Sequence, residues 1–84
     1  MQVIEVAPLG PGWRVSLGAL AGDMVFARGG AAESAARRLA AQLAHSGQAS
    51  ELRIRLRDGS LAERLVWPAL PRRDAAPAAA LEAA

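Results

Sequence analysis

Apolar and polar residues alternate along this chain with two different periods, and the changes of period mark its elements. Val3 to Ala7 is a short run rich in β-branched residues, stopped by Pro8, Leu9, Gly10, Pro11 and Gly12, which predicts a strand followed by a tight loop. Trp13, Val15 and Leu17 then alternate with Arg14 and Ser16, the period of two expected of a strand buried on one side. Gly18 and the pair Gly22-Asp23 bracket the next reversal, and Met24 and Phe26 supply a brief third strand. Strands so closely spaced form a meander without long crossings.

Gly29 and Gly30 close that strand, and the period changes. Ala31 to Ala44 is dense in good helix formers and holds no glycine or proline. Ala32, Ala36, Leu39, Ala40 and Leu43 fall on one helical stripe, with Glu33, Arg37, Arg38 and Gln42 largely off it. Alanine along the stripe lets the axis approach a sheet closely, so the helix is expected to pack on the strands. Gly30 is the expected N-cap with Glu33 at the third helical position, and Ser46-Gly47 the expected stop.

The period of two returns in Leu52 to Arg57 and Leu61 to Trp67, joined at Asp58-Gly59, a strong short-range hairpin signal. Pro68 ends the second arm. Together these segments predict an α+β fold, an antiparallel β-sheet in β-β-β-α-β-β order with one helix packed on one face. Residues 1–70 form the expected domain, and residues 71–84 an Ala/Pro-rich flexible tail.

The order of landmarks is similar to that of a family of short bacterial proteins catalogued as domain of unknown function two-one-eight-eight. The residues that carry the resemblance are Val6 and Pro8, Trp13 and Val15, Phe26, then Ala32, Ala36, Arg37, Leu39 and Ala40, and finally Asp58 and Gly59, within residues 3–67. This chain has Arg28 and Gly29 where that family usually carries a threonine or similar helix cap. The resemblance implies a compact β-rich sheet with one helix on it and no particular activity.

A chain of 84 residues is expected to bury only about 60 to 65 per cent of its unfolded surface. Much of its apolar content is alanine, so the core is expected to lean on Trp13, Phe26, Trp67, Met24 and the branched aliphatics. Dimerisation is a common remedy for so small a core. The absence of cysteine excludes disulfides, thiolate catalysis and cysteine-ligated metal. No run approaches the length needed to span a bilayer and no basic leader precedes an apolar stretch, so a cytoplasmic location without membrane contact is expected.

Candidate chemistry is sparse. His45 is the only histidine and sits near the helix C-terminus, a structural position. One histidine makes neither a multi-histidine metal site nor, without a converging serine and acid, a nucleophile triad. Asp23 and Asp58 fall in glycine turns and Glu33 at a helix start, which are structural roles. Neither Gly10-Pro11-Gly12 nor Gly29-Gly30 carries the residues of a phosphate-binding loop. Trp13, Phe26 and Trp67 have the phase of the core, unlike the aromatics of a base-stacking sheet. No catalytic residue, cofactor or metal is expected.

What remains is arginine. All ten basic residues are arginine, and up to residue 73 they stand against six acidic residues. Arg53, Arg55 and Arg57 lie in alternate phase to Leu52, Ile54 and Leu56, which are expected to point at the helix, and Arg14 lies opposite Trp13. Register decides their meaning. A two-residue Asp58-Gly59 loop sets Arg53 across from Arg64, whereas a one-residue bulge would bring Glu63 across from Arg55. The leading expectation is a non-enzymatic binding or assembly module acting through protein contacts, with a homodimer among them. The alternative is sequence-tolerant nucleic-acid binding through Arg14, Arg53, Arg55, Arg57 and Arg64 on the outer face.

Overall fold

A computed structural model describes residues 1–18 and 23–71. In chain order the elements are β1 (Gln2–Leu9), β2 (Gly12–Leu17), β3 (Met24–Phe26), α1 (Gly29–His45), β4 (Ser50–Arg55) and β5 (Leu61–Trp67). They make an α+β fold with one helix and a single five-stranded sheet in the order β3-β2-β1-β4-β5. The expected Gly22 turn lies outside the described residues, as does the expected tail beyond Pro71.

The sheet is mixed, which corrects the expectation of an antiparallel one. β1 pairs antiparallel with β2, β2 with β3, and β4 with β5, but β1 and β4 run parallel, with Ile4 beside Leu52 and Val6 beside Ile54. The helix is the cause. After β3 the chain has the direction of β1, and α1 carries it back over the sheet before β4 begins, so β4 must also run with β1. The last hairpin thereby joins β1 in the middle of the sheet.

The core is built from the helix-facing positions of the three central strands. Ile4 and Val6 of β1, Val15 of β2, and Leu52 and Ile54 of β4 are buried against Ala32, Ala36 and Ala40. Each such aliphatic side chain contributes about 1.5–3 kcal/mol on burial. Trp13, Leu17, Phe26, Leu39, Leu43, Leu65 and Trp67 ring this cluster, partly buried. Met24 and Leu56, both expected inside, are 43% and 52% exposed. Met24 belongs to a three-residue edge strand, and Leu56 lies past the end of β4, where the chain enters the hairpin loop.

Two helix ends illustrate unequal care. The N-cap is Arg28, not Gly30, in an extended conformation without a side-chain cap, and the first turn holds no acidic residue. Glu33 therefore lies deeper in the helix and pairs with Arg37 at 3.5 Å. At the other end Ser46 is the C-cap and Gly47, at φ 83°, sends its amide to Ala44 O at 3.0 Å. The Leu70 amide reaches the same carbonyl at 3.0 Å, tying the end of the described chain to the helix.

Candidate functional site

Strand alternation fixes which charged side chains share the face turned from α1. On β1 that is Glu5, between buried Ile4 and Val6, and on β2 it is Arg14, beside Val15. β4 contributes Glu51, Arg53 and Arg55 in alternation with Leu52 and Ile54, and β5 contributes Arg64. The parallel pairing of β1 with β4 then sets Glu5 beside Arg53. Four of the five arginines read from the sequence, Arg14, Arg53, Arg55 and Arg64, are thus brought onto one surface.

They arrive already paired. The Glu51 carboxylate accepts from Arg53 Nε on one oxygen and from Arg64 Nη2 at 2.8 Å on the other. Glu5 accepts from Arg55 Nε at 3.1 Å and has Arg14 Nη2 at 3.7 Å, while the other terminal nitrogen of Arg14 lies 3.6 Å from Asp23. The face therefore carries two chains of alternating sign, Arg53–Glu51–Arg64 and Asp23–Arg14–Glu5–Arg55. The Glu51 side chain is only 8% exposed, and the hydrogen bond from Arg64, then that from Arg53, hold its pKa below the ordinary value. The same contact with Glu51 raises the pKa of Arg64.

The hairpin register explains why Arg53 and Arg64 can face each other. The closing pair is Leu56 with Ser60, so the loop has three residues, Arg57, Asp58 and Gly59, rather than two. The Gly59 amide donates to Leu56 O at 2.9 Å, and Gly59 takes φ 88°, a conformation that glycine adopts without steric cost. Asp58 Oδ1 accepts from the hydroxyl and amide of Ser60 at 2.6 and 2.9 Å, which lowers the pKa of Asp58. Arg55 is then opposite Leu61, and an irregularity at Ala62 restores the phase, putting Ile54 opposite Glu63 and Arg53 opposite Arg64. Two one-residue offsets cancel. A bulge is present, yet Glu63 does not come to Arg55, whose counter-charge is Glu5, while Glu51 lies between Arg53 and Arg64.

Arg57 departs from the other four. Its guanidinium lies 4.5 Å from the centroid of the Trp13 ring and donates to the carbonyls of Gly10 at 2.9 Å, Gly12 at 3.0 Å and Pro11. Trp13 belongs to the helix side, where its ring would sit 3.1 Å from a Cβ on Gly29. Arg57 thus clasps the β4–β5 loop to the β1–β2 turn. The Gly10-Pro11-Gly12 turn presents three carbonyl oxygens to a cation, the opposite polarity to a phosphate cradle.

Glu5 and Glu51 are the residues that sequence reasoning missed. Glu51 stands two positions before Arg53, so it falls on the arginine side of the strand once β4 is extended to Ser50. Glu5 holds the outward phase between Ile4 and Val6. Trp13, Phe26 and Trp67 all pack against the core cluster, so the charged face has no aromatic side chain. His45 is exposed in the last turn of α1. Among the described residues no three His, Asp or Glu side chains gather where a metal could be held, and no helix is long and apolar enough to cross a membrane.

Fold and site together define a small α+β domain, one helix on a mixed five-stranded sheet, whose outer face is a lattice of paired charges. No family model matches the chain, and no curated protein or solved structure is significantly similar to it.

Proposed function

We propose that this chain is a non-enzymatic, cytoplasmic binding or assembly module whose working contact is with protein, made at the β5 edge of the sheet. The observation that carries the reading is the contrast between the paired charges of the outer face and the unpaired edge of β5. The outer arginines already hold carboxylates, whereas β5 is a seven-residue edge strand with Leu61 and Val66 exposed at 46% and 59%. An edge of that length with apolar side chains is a template for another strand. Kinship with the two-one-eight-eight family is part of this proposal and rests on the order of landmarks alone.

Nucleic-acid binding through the outer face is the second reading, favoured by one observation. Arg64 remains 62% exposed despite its contact with Glu51, and four guanidinium groups there meet three carboxylates. Phosphates would have to compete with Glu5 and Glu51 for the same donors, and binding would fall steeply with salt. Sedimentation velocity across a hundredfold protein range, alone and with duplex DNA or single-stranded RNA at low salt, separates the readings. The self-assembly form of the protein-contact reading expects concentration-dependent sedimentation, and every form of it expects no nucleic-acid complex. A chain that stays monomeric and binds nucleic acid, with the complex lost when Arg53, Arg55 and Arg64 are replaced by serine, contradicts it.

A further inference from the structure

We infer that the partner of β5 is a second copy of the same strand, paired antiparallel about a two-fold axis at Leu65. This rests on the protein-contact reading and adds the partner and the register. β5 is regular only between Ala62, the unpaired residue at the register shift, and Pro68, which has no amide to give a ladder. The window between them is 63–67, and Leu65 is its centre. A two-fold axis at Leu65 sets Ala62 opposite Pro68 of the second copy, so the two positions unsuited to pairing meet each other.

Charge along the edge selects the same register. An axis at Glu63 puts two carboxylates face to face, and one at Arg64 puts two guanidinium groups face to face. An axis at Val66 avoids both but runs Arg64 against Pro68, leaving only residues 65–67 to pair. With the axis at Leu65, Leu65 meets itself, Arg64 meets Val66, and Glu63 meets Trp67. Arg64 keeps its own Glu51, on the outer face. On the helix side, Leu65 and Trp67 are partly buried at the margin of the core, and two copies would join these margins into one apolar strip. Among the described residues neither the Glu63 carboxylate nor the Trp67 indole has a hydrogen-bond partner, and this register places that acceptor opposite that donor. β3, the other edge, has three residues and offers no comparable ladder.

The absence of native cysteine makes the test clean. In the full chain, Leu65→Cys puts one thiol opposite its own copy, within reach of a disulfide. Val66→Cys, facing Arg64, leaves its two thiols offset by two positions with Cα atoms roughly 8 Å apart, outside that reach. Under mild oxidation the Leu65→Cys chain is expected to form on the order of tenfold more disulfide-linked dimer than Val66→Cys. Circular dichroism checks that both variants fold, and sedimentation of the unmodified chain gives the self-association that neither cysteine can perturb. Self-association without preferential cross-linking at position 65 overturns the register while leaving the protein-contact reading standing. A strict monomer at every concentration overturns the second copy as the partner.

Discussion

Glu51 shows how much one residue alters the reading of a charged strand. Arg53 and Arg64 stand opposite each other across the hairpin, an arrangement that repels unless a counter-charge lies between them. The carboxylate of Glu51 fills that position, bound on one oxygen by each arginine. Its pKa is lowered in the folded chain, so it contributes stability that is fully present above the unfolded value, about 4, and is lost as pH falls through the folded value. Asp58, lowered by the Ser60 hydroxyl and then by its amide, acts in the same sense. Melting temperature followed by circular dichroism is therefore expected to drop on acidification below about pH 5, and Glu51→Gln to make that drop shallower while lowering the melting temperature at neutral pH. An unchanged slope would mean that Glu51 carries no linkage. Arg57 makes a different prediction because its partners are neutral carbonyls and a ring. Arg57→Ala is expected to cost about 1 kcal/mol in urea denaturation, with no effect on any salt-sensitive binding to polyanions.

At the scale of elements, legibility followed the strength of the local signal. Leu61–Trp67 is a strand with the limits its alternation and Pro68 imply, and Ser46-Gly47 ends the helix as read. The loop between β4 and β5 was recognisable from Asp58-Gly59, but its length was not, because that pair suits both a two-residue turn and a three-residue loop with glycine last. The compensating irregularity at Ala62 has no local signature, since alanine is neutral to it. The helix start misled for the reverse reason. Gly30 looked like a cap by residue type, yet Gly29 and Gly30 are already helical and Arg28 occupies the capping position with nothing to offer the free amides. Arg28→Ser is accordingly expected to stabilise the chain by about 0.5–2 kcal/mol, read from the denaturation midpoint, because a serine hydroxyl at an extended N-cap accepts from the second or third helical amide. A midpoint that does not rise would place the cap elsewhere.

For the whole molecule, the decisive fact is the parallel contact of β1 with β4. It takes Glu5, an unremarked residue in the first strand, and sets it between Arg14 and Arg55, whose positions in the chain are far apart. Nothing local to Glu5 or Arg55 announces this, because it follows from where a helix returns the chain; the arginines of the outer face were legible and their neutralising partners were not. The same topology leaves β5 as the long free edge, beyond the strands that α1 mainly covers. Under the proposed function the chain works from this edge rather than from its charged face. Hydrogen exchange of the intact chain at low and high protein concentration tests that most directly. Amides within residues 63–67 are expected to gain protection with concentration while those of β3 do not; equal exchange at β5 across the whole range would contradict pairing at this edge.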